Sequence, residues 1–552
     1  MHFTKIFIPA RVLCLCLFLC LNTLHSQNPA APAATTKLVV GIVVDQMRND
    51  YLYRYWNRFG NGGFKRLVNE GFYFKNAHYN YIPTYTGPGH GSIYTGATPR
   101  AHGIIANDWY VKTNGTYLYC AADTAVKGVG TTGKAGNMSP KNMLSSTIGD
   151  ELKMSMGPQS KVFAMALKDR SAILPAGHAA DAAFWYDDQS GDFISSTWYV
   201  QQLPQWLKTF NEAKWPQKYL NMGWSTLYPI QTYTNSLADD NRYEAAPNGQ
   251  EKAMFPYDYS KHVAKANWGM LKATPYGNSI TTQAAIACIK AEKLGKDDYT
   301  DLFCLSFSSP DIIGHSVGPR ALEMEDVYLR LDKDLEELLL MLDKEVGKNN
   351  YVVFLTADHG GADVPNHLKD QKIPAGYLKE SRLVKEVKKH FQSTYGDTAL
   401  LASISNDQIF LNDAKIEGLK LVKTEVEQKL ISFLLGLNGI AEAYPASMLK
   451  YQSFENGDYR RLLQNGYNHK LSGDIAFIYQ PAWMDHGEKG TTHGAGYNYD
   501  THVPVLFFGK GIKHGETYTY TTITQIAPTI CELLKINQPN ACTSEPLNNW
   551  FR

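Results

Sequence analysis

The sequence predicts an α/β fold with a mostly parallel central sheet flanked by helices. Two observations carry this reading. The runs "KLVVGIVVD", "DLFCLSFSSPD" and "NYVVFLTADHG" are each continuously apolar, of strand length, and stop on an acid: Asp45, Asp311, and Asp358 followed by His359. Strands that are apolar on both faces belong in a sheet covered on both sides. Between Asp311 and Asp358 lies "LEMEDVYLRLDKDLEELLLMLDKEV", whose leucines recur at helical spacing. Strand, helix and strand in that order make a βαβ unit, which implies parallel pairing.

The elements follow in chain order. Residues 1–26 have the layout of a secretory signal peptide: Lys5 and Arg11, an apolar stretch from Val12 to Leu21, then small polar residues up to Ser26. The alternative is a membrane anchor, for which the uninterrupted apolar run is short. Residues 27–36, "QNPAAPAATT", read as a disordered lead-in. Residues 37–552 then form one large domain with insertions, too long for a single simple core. The strand ending at Asp45 opens it. The turn-rich "PTYTGPGHGSIYTG" follows, with Gly87, Pro88 and Gly89 expected to form a turn that projects Thr86. The Trp- and Tyr-rich stretch at about 185–280 is expected to be an insertion capping the sheet. The strands ending at Asp311 and Asp358 flank the long helix. A second insertion, at about 361–485, reads as a small α+β lobe, and a fourth strand starts at Val503.

Composition is that of an ordinary globular protein, with 44% hydrophobic and 19% charged residues and a formal net charge of +1. Bulk attraction to nucleic acid is therefore not expected, nor a membrane partner once the signal peptide is cleaved. Cys14, Cys16 and Cys20 would leave with that peptide. Of Cys120, Cys288, Cys304, Cys531 and Cys542, an odd number, at least one is unpaired within the chain. Cys531 and Cys542 are close enough in sequence to bridge in an oxidising compartment.

In an open α/β sheet, ligands bind at the carboxyl ends of the strands. Asp45, Asp311 and Asp358 all fall there, and three carboxylates at one edge need a positive charge between them. Histidines accompany them: His315, His359 and His493, the last with a rival in His486. Aspartate oxygens with imidazole nitrogens suit zinc better than magnesium or calcium. Taken singly, each acid could be a turn or helix cap. A hydroxyl held on a metal loses its proton readily and becomes a nucleophile. Thr86 is the candidate, with Thr84 and Thr95 as alternatives.

The set "VVDQMRNDYL", "PTYTGPGHGSIYTGATPRAHGIIAND", "SSPDIIGH", "TADHGG" and "THGAGYNYDTHVPVLFFG" resembles the alkaline phosphatase superfamily. The resemblance implies an alkaline-phosphatase-like sandwich holding two zinc ions. Asp45, Asp358, His359 and Thr86 would hold one ion; Asp311, His315 and His493 would hold the other. Sulfatases resemble the loop but need Cys or Ser in a C/S-x-P-x-R pattern, and here the sequence is Thr86-Gly-Pro-Gly-His90. Nucleotide pyrophosphatases carry a segment similar to "HGIIAND", in which Asn107 matches an asparagine that donates to a phosphoryl oxygen. "MALKDRSAI" resembles the threonine-nucleophile alkaline phosphatases that use a Lys-x-Arg pair where other members use magnesium. By this resemblance Lys168 and Arg170 bind phosphate and no magnesium is expected. On a strand, residues two apart share one face. Two zinc ions balance three aspartates and a threonine alkoxide, so the two extra cations favour a dianionic monoester, with Arg able to fork across two oxygens.

The resulting expectation is a secreted or periplasmic alkaline phosphatase that hydrolyses phosphate monoesters through a phospho-threonine intermediate. A phosphodiesterase or nucleotide pyrophosphatase is the rival among enzymes. A non-catalytic zinc-dependent surface protein that binds glycans is the rival from another class.

Overall fold

In a computed structural model, residues 36–246, 250–455 and 457–547 are described. The expected signal peptide and nearly all of the lead-in lie outside the described residues. Among the described residues no helix is long and apolar enough to cross a membrane.

The main strands are β1 (Leu38–Val44), β2 (Phe72–His78), β3 (Val162–Ala166), β4 (Ala182–Asp187), β5 (Asp192–Ser196), β6 (Asp301–Phe307), β7 (Tyr351–Thr356) and β8 (His502–Gly509). They lie in an 11-stranded sheet in the order β2-β8-β7-β1-β6-β3-β4-β5, with short strands added at both edges. At the centre β1 is parallel to both β6 and β7, and β3 is parallel to β6 and β4. Strand β8 begins where the fourth strand was expected but runs antiparallel to β7 and β2. An apolar run fixes burial and carries no direction.

Every residue of β1, β6 and β7 is buried, as strands covered on both faces must be. Register then places the acids. Val43 pairs with both Thr356 and Ser306, so Asp45, Asp358 and the segment leading to Asp311 leave the sheet side by side.

Four helices matter for the site: α1 (Thr86–Thr95), α2 (Asp169–Ala176), α3 (Ser309–Val317) and α4 (Leu322–Leu342). Gly87, Pro88 and Gly89, expected to form a turn, are instead the first turn of α1. Proline is tolerated there because the first-turn N–H groups have no partner within the helix. Gly96, at φ 66°, ends the helix in the left-handed region. Lys168 and Arg170 do not share a strand face. Strand β3 stops at Ala166, Lys168 caps α2, and Arg170 lies in its first turn beside Asp169, an acid suited to a helix N-terminus.

The stretch expected as a cap from about 185 begins inside the sheet, since Trp185 belongs to β4 and the chain returns through β5. Its aromatic remainder includes helices Gln205–Glu212 and Trp215–Asn221. Between 361 and 485 the chain builds four antiparallel strands, Leu401–Ser405, Gln408–Leu411, Ile475–Tyr479 and Ile440–Pro445 in spatial order, with helices Glu380–Tyr395 and Lys423–Leu435. This lobe has its own core around Leu383, Phe391, Leu430 and Phe477. A hairpin formed by Asp108–Val111 and Thr116–Tyr119 ties it to the main body. Tyr117 and Ser403 share a hydroxyl hydrogen bond at 2.7 Å, and Asn406 Nδ2 donates to the Asp108 carbonyl at 2.7 Å. Cys120, Cys288, Cys304, Cys531 and Cys542 are all free thiols, so no bridge joins Cys531 and Cys542.

Candidate metal centre and active site

The structure brings the predicted ligands together as two adjacent groups. Asp45, Asp358 and His359 present ligand atoms all within 4.8 Å of one another, and Asp311, His315 and His493 do the same. His315 follows Asp311 by one helical turn on α3, with Nε2 3.1 Å from Asp311 Oδ1. His493 Nε2 lies 3.5 Å from that oxygen. His359 Nε2 lies 3.4 Å from Asp45 Oδ1 and 3.7 Å from Asp358 Oδ2. His486 is not in either group; its ring stacks outside His315, with centroids 6.3 Å apart.

The second contact of each histidine fixes which nitrogen faces the site. His359 Nδ1 meets the Gly360 carbonyl, His315 Nδ1 that of Thr491, and His493 Nδ1 that of Thr84, each at 2.8 Å. A nitrogen that faces a carbonyl carries a proton, so in the neutral ring Nε2 is the nitrogen that offers the lone pair. Asp45 Oδ1 and Asp358 Oδ2 are buried without a hydrogen-bond partner. Free imidazole lone pairs beside orphaned carboxylate oxygens fit divalent cations at both groups.

The charges show the same need. Burial and the neighbouring Asp311 push Asp45 upward, but Lys168 and His359 outweigh them and hold it at about 2. Burial opposes ionisation of Asp311, and His315 and Lys168 overcome it, keeping that carboxyl well below its usual range. For Asp358 the balance tips the other way: burial and the charge of Asp45 outweigh the help of His359 and Lys168 and push it well above that range. Burial disfavours a charged His359, yet Asp358 and Asp45 raise it to about 9. A cation beside Asp358 would remove its proton and keep His359 neutral.

Thr86 is 1% exposed and opens α1, with Oγ1 3.5 Å from His359 Nε2. Helix α1 can approach this closely because residue 89 is glycine; a Cβ there would sit 2.4 Å from the Asp358 carbonyl oxygen. Thr84 points elsewhere, donating to the Ala495 carbonyl, and Thr95 bonds back to Gly91 within the helix. Asn107 Oδ1 accepts from the Gly87 N–H at 2.8 Å, which fixes the amide beside Thr86. Lys168 Nζ sits between Asp45 Oδ2 at 2.6 Å and Asp311 Oδ2 at 2.5 Å. Arg170 donates to the Tyr119 hydroxyl at 3.2 Å, and its Nε is buried without a partner.

Two residues escaped the sequence reading. Gln46 donates its backbone N–H to Asp358 Oδ1 at 3.2 Å and its Nε2 to Asp311 Oδ1 at 2.7 Å, spanning both groups. His90, fully buried, lies between the Thr86 carbonyl and Ser306 Oγ at 2.9 Å each, with Nδ1 3.4 Å from Asp358 Oδ2. Adjacency to Asp45 and a position one helical turn after Thr86 were the available signals.

Residues 39–503 match the model of the type I phosphodiesterase / nucleotide pyrophosphatase family. Alkaline phosphatase PhoV of Synechococcus elongatus is 44% identical over 94% of each chain. A protein of Myroides odoratus described as a calcium-transporting ATPase is 43% identical over 97% of each. Alkaline phosphatase PafA of Elizabethkingia meningoseptica is 41% identical over 93% of this chain and 94% of its own. The crystal structure of wild-type PafA superposes with a TM-score of 0.91, covering 94% of this chain and 99% of that one at 40% identity. A PafA variant changed at one threonine, one asparagine, one lysine and one arginine superposes with a TM-score of 0.90.

The chain belongs to the type I phosphodiesterase / nucleotide pyrophosphatase family, within the alkaline phosphatase superfamily. Inside that class it is an alkaline phosphatase of the PafA and PhoV type, a phosphoric monoester hydrolase acting on phosphate esters.

Proposed function

We propose that this alkaline phosphatase acts through a phospho-threonine intermediate on Thr86, at a dinuclear zinc centre. Asp45, Asp358, His359 and Thr86 would hold one ion, and Asp311, His315 and His493 would hold the other. The carrying observation is the Thr86 hydroxyl, buried at the start of α1 and 3.5 Å from His359 Nε2. Mixed carboxylate and imidazole donors favour zinc. Two divalent ions there supply Lewis acidity, which acidifies a hydroxyl and offsets the charge of a phosphoryl group.

The chain's own residues do the rest. Thr86 Oγ1 bonds to phosphorus as the bond to the ester oxygen breaks and the alcohol leaves with a proton. Water then cleaves the phospho-threonine, restoring the hydroxyl and releasing inorganic phosphate. Asn107, its oxygen pinned by Gly87, turns its NH2 group toward the phosphoryl oxygens. Lys168 and Arg170 add two positive charges where the dianion's non-bridging oxygens lie, and charge stabilisation of this kind dominates phosphoryl transfer. The four residue types changed together in the PafA variant are the types of Thr86, Asn107, Lys168 and Arg170, which supports a shared role. Export to the periplasm or medium rests on the layout of residues 1–26.

The test compares an aryl phosphate monoester with the matching diester, using wild type, Thr86→Ala and Thr86→Ser. Monoester preference, activity retained by Ser and lost by Ala, and phosphate trapped on the Thr86 peptide after acid quench are expected. Diester preference, or full turnover by the Ala variant, overturns the proposal.

A further inference from the structure

Beside His493 a cavity of about 270 Å³ opens between the α+β lobe and the main body. Its wall includes three acids from separate places in the lobe: Glu380 at the start of a helix, Asp407 in a hairpin turn and Asp485 after a short strand. Tyr479 and Trp483 supply aromatic wall beside them. Asp108, from the hairpin of the main body, and Asp500 also line the cavity; Asp500 is 1% exposed, and its Oδ1 has no hydrogen-bond partner. No lysine or arginine lines the cavity, and among the described residues none forms an ion pair with Glu380, Asp407 or Asp485. Tyr85 joins this space to the catalytic centre, its ring edge-on to His493 with centroids 5.6 Å apart.

Uncompensated carboxylates in a half-enclosed aromatic pocket are costly, and a cation relieves the cost. Asp407 shows the strain: burial, then the charges of Asp485 and Glu380, push its carboxyl up to about 7. Burial and Asp485 push Glu380 up to about 6. Both are ionised under alkaline conditions. A leaving group seated here would meet a strongly negative field, which repels further phosphates and attracts an ammonium.

We propose that this cavity is the leaving-group pocket, and that it selects phosphate monoesters of amino alcohols, with a quaternary or primary ammonium, over neutral alcohols and over nucleotides. The acids supply the charge, and Trp483 and Tyr479 line the wall as aromatic surface against which a cation can rest. This assignment rests on the proposed reading of the centre at Thr86 and His493, which the pocket adjoins.

Choline phosphate and its uncharged carbon isostere, 3,3-dimethylbutyl phosphate, differ at one atom in shape-matched esters and isolate the charge term. The wild-type enzyme is expected to show kcat/KM at least about 10-fold higher for choline phosphate, a factor within one desolvated cation–π contact. This ratio should fall toward one as salt rises and in the Asp407→Asn/Glu380→Gln variant. Equal kcat/KM for the two esters in the wild type overturns the pocket assignment, as does a preference that survives in the folded double variant. Because the wild-type comparison stands alone, a variant that fails to fold leaves the test intact. If neither monoester is hydrolysed but an aryl diester is, the reading of the centre fails instead. Turnover of both monoesters without a cation preference sinks only the pocket.

Discussion

The rings of His359 and His493 lie face to face, with centroids 3.4 Å apart and planes 12° from parallel. The two residues belong to different ligand groups, so this stack is where the groups meet. Burial and the positive neighbour His359 hold His493 well below the usual imidazole range, so it stays neutral and ready to ligate. His493→Ala is therefore expected to lower metal content from two ions per chain to one. His486→Ala, outside both groups, should leave two. Metal analysis of dialysed protein checks this, and unchanged stoichiometry in His493→Ala would refute the assignment.

Gln46 yields the second prediction. It adopts φ 60°, a region that costs a non-glycine residue about 1 kcal/mol or more. Its side chain fits between Gly314 and Gly361, where any Cβ would lie 2.2 Å and 3.1 Å from Gln46 Oε1. The strain persists because the amide holds Asp311 and the backbone N–H holds Asp358. Gln46→Ala and Gln46→Gly should each weaken metal affinity about 10–100-fold, the usual effect of losing a partner that orients a ligand. Gln46→Gly should also be more stable than Gln46→Ala by about 1 kcal/mol, because glycine accepts the backbone. Calorimetry with metal titration separates the two effects.

Much of this site was legible because its signals are local. An apolar run that ends on Asp45, Asp311 or Asp358 fixes both burial and the sheet edge from which the acid projects. Position within the fold was harder. Lys168 and Arg170 are read onto a strand because the apolar run continues through Leu167, whereas the strand itself ends at Ala166 and Asp169 starts a helix. The direction of β8 was not legible, since its partners β7 and β2 come from distant sequence. Nor was the acidic cavity, whose residues lie far apart in the chain and meet only when the lobe folds back. Gln46 was hidden because a left-handed φ leaves no mark on a glutamine.

Gly89 gives a third prediction, because close packing of α1 on the strand end sets the position of Thr86. A Cβ at residue 89 would lie 2.4 Å from the Asp358 backbone oxygen and 2.9 Å from its Cα, so backbone rather than a flexible side-chain end would have to give. Gly89→Ala should cost about 1–3 kcal/mol of stability, as overpacking does. It should also lower kcat by shifting the helix that carries Thr86. Gly418→Ala, with nothing within 4 Å of the new methyl, is the matched control and should stay within about 0.5 kcal/mol of wild type. If both variants behave alike, packing of α1 does not hold the nucleophile.

Glu244 gives a prediction about alkaline stability that is independent of the centre. It is 2% exposed, and Asn241 is its hydrogen-bond donor; Glu323, fully buried, accepts from Tyr257. One oxygen of each carboxyl has no partner. Burial, then the charge of Glu323, push Glu244 up to about 10, and burial pushes Glu323 up to about 7. The folded chain therefore keeps protons that the unfolded chain releases near the ordinary glutamate value. Stability from these groups is complete below about pH 4.5 and is lost as pH rises toward 7 and then 10. Glu244→Gln keeps the shape and removes the titration. Its melting temperature should exceed that of wild type increasingly from about pH 5 to about pH 10, with little difference below about pH 4.5. A constant difference across that range would show that the pair does not hold its protons in the folded protein.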